Sequence, residues 1–279
     1  MSIQTSTRNI IGVVGLSIGL AVLVAACATV PHTGRKQLNF LPDKDLDSLG
    51  ARTYSELLKR EPECKDQKIN EFVQTVAGRV SKAAEGVDRP GFDWKILVVE
   101  KDIPNAFVLP GGKIVVYTGI LPFVKNEAGL AAVIGHEIGH AVARHGGERL
   151  SQQLAIQGVS ALGSELFKDK EGKLDNKTKA VIGALGLGAT VGVILPYSRT
   201  HELEADRIGQ LYMAKAGYDP QESIHLWERM GKINKPPIPV WLSTHPADDE
   251  RIKNLKELAP EAKKIYEQSP VKYGQGTTI

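Results

Sequence analysis

Two hydrophobic periods divide the 279-residue chain into predicted helices and predicted strands. In residues 67–84, Ile69, Phe72, Val76 and Val80 recur at intervals of three or four, which is the spacing of a helix that buries one face. The same spacing predicts further helices at 43–59, from Asn126 onward, at 199–216, at 221–230 and from Asp248 onward.

Short apolar runs without helical spacing predict strands at 94–99, 106–109 and 113–117. The tripeptide Pro110-Gly111-Gly112 separates the last two runs, and Pro-Gly pairs are typical of turns. We therefore expect these two strands to form a hairpin. A glycine-rich apolar segment at 180–195 is short for a membrane-spanning helix, and we expect it to be buried or to face the substrate.

The N-terminal residues predict an export signal. Residues 10–26 form an apolar run broken only by Ser17, and the run leads into Val24-Ala25-Ala26-Cys27. This ending resembles a bacterial lipobox, in which a signal peptidase cleaves before a cysteine that has received a lipid. We expect residues 1–26 to be a lipoprotein signal peptide and Cys27 to carry the lipid.

The predicted anchor leads to a predicted location and domain organisation. Ala28 follows the cysteine, and the sorting rules of enteric-type bacteria then favour the outer membrane, with the protein on its periplasmic face. An uncleaved signal anchor in the inner membrane is the alternative. Residues 27–42 lack apolar periodicity and are predicted to be a lipid-anchored tether, which leads into one domain at 43–279.

Composition and charge exclude several classes of protein. With 42% hydrophobic and 24% charged residues, the chain has ordinary globular composition, which argues against a disordered or collagen-like protein. The net charge is only +3 and the basic residues are scattered, so nothing indicates nucleic-acid binding. Two cysteines are too few for a disulfide framework.

The long predicted helix contains His136-Glu137-Ile138-Gly139-His140. Residues four apart on a helix differ by about 40° around its axis, so the two histidines point to one side of the helix, one turn apart. Two imidazoles in this arrangement can bind one zinc ion. Glu137 lies about 100° from His136 and can flank the metal without displacing its water.

A zinc hydrolase needs a third protein ligand and an open position for water. Ala143 and Gly146 stand where a metzincin would need glycine and histidine, so that class is excluded. His145 lies nine residues after His136, about 180° around the helix if the helix continues, and is predicted to pack or to support the ligands from behind. We expect Gly146-Gly147 to end or bend this helix.

Glu202 and Asp206 form a better candidate pair, four residues apart on a later predicted helix. Glu202 could ligate the metal while Asp206 accepts the free N–H of a ligand histidine and fixes its tautomer. Glu204 lies about 200° from Glu202 and is predicted to point away.

Together these motifs resemble the M48 family of zinc metallopeptidases, within it the bacterial lipoprotein or periplasmic branch that is Oma1-like. The resemblance extends over nearly the whole chain after Cys27. The matching segments are 33–38, Asn105–Phe107 with 110–112, 136–140 extended to 144–145, 196–199 leading into 202–206, and 243–246 with Arg251.

The resemblance implies an α+β, mostly helical fold, a gluzincin-type metallopeptidase domain with a small sheet. It also implies one Zn²⁺ ion per chain, held by His136, His140 and Glu202. Zinc would activate a water molecule, and Glu137 would take its proton and pass it to the leaving amine.

Other site residues follow from the same resemblance. His245, Tyr197 and Arg251 are candidate donors to the oxyanion, with His245 ranked first. An alternative hypothesis makes His245 an inhibitory ligand that fills the open position on zinc. Asn105 and Ala106 resemble the start of a substrate-binding edge strand, to which an extended peptide adds as a further strand.

The expected function is therefore zinc-dependent endopeptidase activity against misfolded or unassembled proteins of the bacterial cell envelope. The outer-membrane assembly machinery is a candidate partner. The alternative is an envelope chaperone or assembly factor that has a metal site and cleaves little, and a third hypothesis is a structural lipoprotein without metal.

Overall fold

The elements of the structure follow the hydrophobic periods of the sequence. The computed structural model describes residues 27–85, 91–157, 197–233 and 239–274. Their order is β1 (Cys27–Thr29), β2 (Lys36–Leu38), α1 (Asp43–Arg60), α2 (Gln67–Ala84), β3 (Lys95–Val99), β4 (Ala106–Leu109), β5 (Lys113–Tyr117), a 3₁₀ turn (Thr118–Ile120), α3 (Leu121–Val124), α4 (Glu127–Val142), α5 (His145–Gln157), α6 (Arg199–Lys215), α7 (Gln221–Met230), α8 (Val240–Thr244) and α9 (Asp249–Gln268).

The predicted long helix begins as expected and ends earlier than expected. The side chain of Asn126 accepts a hydrogen bond from the backbone N–H of Gly129 at 2.7 Å and caps α4. The helix ends at Val142, before the Gly146-Gly147 pair, because Arg144 adopts a left-handed conformation with φ 58°. A new helix, α5, then begins at His145.

The three-stranded sheet has the order β3-β5-β4, with β3 parallel and β4 antiparallel to β5. The predicted hairpin is confirmed, and β4 lies at an edge. The backbone N–H of Tyr117 donates to the carbonyl of Asn105 at 3.0 Å, so alternate residues from Asn105 onward pair with β5. The backbone groups of Ala106 and Val108 therefore point away from the sheet, toward the open edge.

Both faces of the sheet are buried. Alternate residues of the strands contribute to two hydrophobic clusters, as the two-residue period of a strand requires. The larger cluster joins one face to α2, α4 and α6, and the smaller joins the other face to α1 and α5. The mostly helical α+β fold is thus as predicted.

Helices α4 and α6 pack closely because small residues line their contact. A Cβ added to Gly139 would lie 2.6 Å from the carbonyl oxygen of Ala205. A Cβ added to Gly209 would lie 2.5 Å from the carbonyl carbon of Gly135 and 2.6 Å from the backbone nitrogen of His136. Real Cβ atoms do not approach backbone so closely, so glycine sets the distance between these helices.

The prediction of a tether at 27–42 is wrong over most of that range. Strands β1 and β2 pair antiparallel, and the segment packs on the domain with Val30 and Leu41 buried. The polar side chain of Gln37 is also buried and donates to the carbonyl of Ala143 at 3.0 Å. A segment held by such distant contacts carries no amphipathic period, which is why its sequence resembles a linker.

Two predictions lie outside the described residues, namely the signal peptide at 1–26 and the apolar segment at 180–195. Within the part of the chain that the structure describes, no helix has the length and hydrophobicity needed to cross a membrane.

Because α4 and α6 are in close contact, adding one methyl group at Gly209 should destabilise the fold. Alanine at position 209 favours helix by about 1 kcal/mol over glycine, but its Cβ would collide with the backbone of α4. We expect Gly209→Ala to lower the free energy of unfolding by about 1–3 kcal/mol, as overpacking does. Urea denaturation followed by circular dichroism measures it.

Gly78→Ala on α2 is the matched control, because nothing lies within 4 Å of the added Cβ. It should leave stability unchanged or raise it. Equal stability of the two variants would contradict glycine-limited packing of α4 against α6.

Candidate metal centre

Helix α4 directs two imidazoles to one point, as the four-residue spacing predicts. The Nε2 atoms of His136 and His140 lie 3.0 Å apart, and both side chains are buried. Helix α6 supplies Glu202 from the opposite side, with Oε2 at 3.4 Å from Nε2 of His136 and Oε1 at 3.4 Å from Nε2 of His140. The structure therefore brings the three predicted ligands together.

These separations fit a metal ion. Ligand atoms about 2.0–2.1 Å from a tetrahedral zinc ion are about 3.3–3.4 Å from one another. Oε1 of Glu202 and Nε2 of His245 are buried and make no hydrogen bond within the described residues, whereas Oε2 of Glu202 has an ion pair with Arg251. Buried polar atoms without partners are costly, and a metal ion shared by them would remove that cost.

The orientation of His136 is set by Asp206, one turn after Glu202. Nδ1 of His136 lies 2.8 Å from Oδ1 of Asp206, as predicted for a carboxylate that holds a ligand histidine. Burial lowers the pKa of His136, but Asp206 and Glu202 raise it more, to about 9. A metal that binds Nε2 must therefore displace a proton at neutral pH.

Arg251 neutralises this group of carboxylates and is completely buried. Its Nε and Nη2 donate to Asp206 at 2.7 and 2.6 Å, and its Nη1 lies 2.7 Å from Oε2 of Glu202. Burial raises the pKa of Asp206, but the charge of Arg251 outweighs this effect and holds that pKa below its ordinary value. Because its donors are occupied, Arg251 is not free to bind an oxyanion, contrary to one hypothesis.

Glu137 lies beside the candidate ligands, in contact with Trp241 and His245. Trp241 donates from Nε1 to Oε1 of Glu137 at 2.8 Å, and Nε2 of His245 lies 3.6 Å from the same oxygen. Burial raises the pKa of Glu137 to about 7. A carboxylate with this pKa can both accept and return a proton near neutral pH.

His245 belongs to the same group of ligand atoms. Its Nδ1 lies 3.2 Å from the carbonyl oxygen of Trp241, and its Nε2 is directed into the site. Candidate ligand atoms of His136, His140, Glu202 and His245 all lie within 4.8 Å of one another. Burial lowers the pKa of His245 to about 3, so its imidazole is neutral and able to ligate.

Tyr197 and the edge strand border the site. The Tyr197 ring stacks on His140 with a centroid distance of 4.0 Å. A small pocket has these two residues in its lining, together with Val108 of β4 and Gly111 of the turn that follows β4. The backbone N–H of Trp241 donates to the carbonyl of Pro104, so the residue that holds Glu137 also holds the chain just before Asn105.

A second polar layer lies behind His140, and sequence reasoning missed most of it. Because the chain turns at Arg144, His145 lies against His140 instead of on the far side of a continuous helix, so the predicted direction is wrong. His145 does support a candidate ligand from behind, as predicted, because its Nδ1 lies 2.8 Å from Nδ1 of His140. Glu204 points away from the ligands as predicted but is buried and bound to His145 at 3.1 Å.

The layer also contains an ion pair with the N-terminal segment. Arg35 binds Glu148 through two parallel hydrogen bonds of 2.9 and 2.7 Å. Burial raises the pKa of Glu148, but His201 and Arg35 lower it more, to about 2. The family resemblance includes Thr33-Gly34-Arg35. That match is the one feature of the sequence that indicates a role for this segment near the site.

Comparisons with known proteins agree with this geometry. Residues 66–259 match Peptidase family M48. The mitochondrial metalloendopeptidase OMA1 of Arabidopsis thaliana is 38% identical over 71% of this chain and 39% of its own length. OMA1 of Saccharomyces cerevisiae is 40% identical over 64% of this chain and 51% of its own length. The beta-barrel assembly-enhancing protease of Yersinia pestis is 28% identical over 71% of this chain and 40% of its own length.

The chain thus spans about half or less of the length of these relatives. The matched region includes both helices that carry the ligand cluster, and the match to the family covers well over half of the chain. The chain belongs to peptidase family M48.

Proposed function

We propose that this chain is a zinc-dependent endopeptidase that cleaves misfolded or unassembled proteins in the bacterial cell envelope. The observation that carries the proposal is the meeting of His136, His140 and Glu202 at 3.0–3.4 Å with Glu137 beside them. Metalloendopeptidases among the relatives support the reaction class, and the bacterial relative named for beta-barrel assembly supports the envelope substrates.

The residues present divide the reaction between them. Zinc bound by the three ligands would polarise the scissile carbonyl and lower the pKa of the attacking water. Glu137 takes the proton of that water on Oε2 and returns it to the leaving amine. Trp241 fixes the carboxylate by its hydrogen bond and leaves the second oxygen free for this transfer.

His245 and Tyr197 are the remaining side chains that could meet the developing oxyanion. The neutral His245 reaches the ligand cluster through Nε2 while Trp241 holds Nδ1. This arrangement supports the hypothesis that His245 fills the fourth position in a resting enzyme and moves aside for substrate. In that displaced position the tautomer that carries its proton on Nε2 could donate to the oxyanion.

The edge strand supports a preference for unfolded substrates. Ala106 and Val108 present backbone groups at the outer edge of β4, and Val108 lines the pocket that also contains His140. An extended peptide that pairs with this edge is recognised mainly by its backbone, and folded proteins present few such segments. We propose that Asn105 and Ala106 begin the substrate-binding strand.

Lipid attachment at Cys27 remains part of the proposal, with the outer membrane as its location. The motif Val24-Ala25-Ala26-Cys27 supports it. Because Val30 and the residues after it pack on the domain, the anchor would hold the catalytic domain close to the membrane surface.

Removing the proposed proton carrier should abolish hydrolysis and leave the metal in place. Glu137→Gln preserves the acceptor for Trp241 but cannot take a proton. We expect casein cleavage to fall by about 10²–10⁴-fold with unchanged zinc content. Cleavage is followed by gel electrophoresis and zinc by atomic emission spectrometry.

Glu127→Gln is the matched control, since it makes the same chemical change on the same helix where Glu127 pairs with Arg79. At temperatures below the melting temperature of this variant, it should cleave casein as fast as the wild type does. Full activity in Glu137→Gln would contradict the mechanism, and zinc binding without cleavage in the wild type would favour the chaperone alternative.

Lipidation is tested by exchanging cysteines. Cys27→Ser should lose incorporation of labelled palmitate and leave the membrane fraction or remain as an uncleaved precursor. The control is Cys64→Ser, which removes the buried free thiol and should keep the label. Absence of label in the wild type would favour the signal anchor, and sedimentation with the inner membrane would overturn the outer-membrane location.

A further inference from the structure

The two histidine ligands are oriented in different ways. His136 donates directly to the Asp206 carboxylate, whereas Nδ1 of His140 faces Nδ1 of His145 at 2.8 Å. Two imidazole nitrogens at this distance can share one hydrogen bond only if one donates and the other accepts. The tautomer of His140 therefore depends on the tautomer of His145.

Glu204 determines the tautomer of His145. Oε2 of Glu204 lies 3.1 Å from Nε2 of His145, and an ionised carboxylate can only accept, so Nε2 of His145 carries the proton. In the neutral ring Nδ1 is then the acceptor, and His140 must donate to it from Nδ1. This leaves the lone pair of His140 on Nε2, which is the atom that faces Glu202.

The position of Glu204 is set in turn by the N-terminal segment. Arg35 donates from Nε to Oε2 of Glu204 at 2.8 Å, and Thr33 donates from Oγ1 to Oε1 at 2.6 Å. Arg35 also binds Glu148, and the Glu148 carboxylate accepts from His201 at 3.0 Å. Both oxygens of Glu204 are thus held by residues that precede it by about 170 positions in the chain.

The same segment holds the backbone turn that places His145. Gln37 donates to the carbonyl of Ala143 at 3.0 Å, and Arg144 donates from Nη2 to the carbonyl of Leu41 at 2.8 Å. Arg144 is the residue in the left-handed conformation at this turn. A non-glycine residue keeps that conformation only where its surroundings stabilise it, and residues 37–41 provide those surroundings.

We propose that the N-terminal segment, residues 30–41, positions the metal ligand His140 through Arg35, Glu204 and His145. This inference rests on the metal site of the proposed function. Because coupling between two equilibria is reciprocal, docking of the segment raises metal affinity and metal binding holds the segment docked by the same factor.

Zinc affinity of the full chain in detergent tests the proposal. We expect Arg35→Gln to raise the Kd for zinc by about 10–100-fold, the usual effect of removing a group that orients a ligand. Competition with a chromophoric chelator, well below the melting temperature, gives this Kd. Thr33→Val removes one hydrogen bond to Glu204 and should shift the Kd in the same direction by less, which keeps the test available if Arg35→Gln does not fold.

Arg79→Gln is the matched control. Arg79 is a partly buried arginine that pairs with Glu127 and Tyr218, and neither of these contacts the metal ligands. It should lower the melting temperature without changing the zinc Kd. An equal Kd for Arg35→Gln and Arg79→Gln would overturn the proposal and leave the proposed function intact, whereas a wild type without zinc affinity would overturn both.

Hydrogen exchange gives a readout that a merely stabilising role would not change. The amides of Val30 and Gly34 are bonded within the segment, to the carbonyls of Arg35 and Val30. Zinc should slow their exchange in the wild type and slow it less in Arg35→Gln, in which Thr33 and Gln37 keep their contacts with the domain. If zinc does not change the exchange rates of these amides in the wild type, the coupling is contradicted.

Discussion

The close approach of α4 and α6 is the constraint on which the rest of the molecule depends. Two imidazoles one turn apart can form half of a metal site, but the third ligand must come from another element within about 3.4 Å of them. Glycine at 135, 139 and 209 lets the two helix backbones meet without intervening side chains. Glu202 and Asp206 then reach the histidines with ordinary side-chain lengths.

The close packing of α4 and α6 brings several buried carboxylates together, and two arginines neutralise their charges. Arg251, from α9, pairs with Glu202 and Asp206, and Arg35 pairs with Glu148 and Glu204 in the polar layer behind His140. Removing one partner of a buried ion pair is usually more damaging than replacing both, because it leaves an unpaired charge. The two arginines thus make the carboxylates of α6 tolerable and fix their orientation.

Much of this arrangement was predictable from the sequence, because local spacing determines it. Periods of two to four residues predict the helices at 67–84 and 221–230 and the β4–β5 hairpin. The four-residue spacing also predicts that His136 and His140 converge. The Glu202–Asp206 pair was also found by spacing, once the histidine motif had raised the question of a third ligand.

The rest depends on contacts that leave no local period. The left-handed turn at Arg144 is not encoded by a glycine, so a continuous helix was expected and His145 was placed on the wrong side. The segment at 27–42 lacks apolar periodicity, so its sequence predicts a tether. Its contact with the domain, through Arg35 and Glu204, joins residues 169 positions apart and leaves no local pattern. Trp241, which holds Glu137, lies 104 residues away from it and had no motif to mark it.

The metal content of the wild type and of a variant that lacks Glu202 shows whether these three residues bind the metal. We expect about one equivalent of zinc per chain in the purified wild type, since three ligands at these separations form one site. Glu202→Ala should lose nearly all of it while the helical circular dichroism signal persists. Equal zinc in the two proteins, or none in a folded wild type, would contradict the assignment of His136, His140 and Glu202 as the ligands.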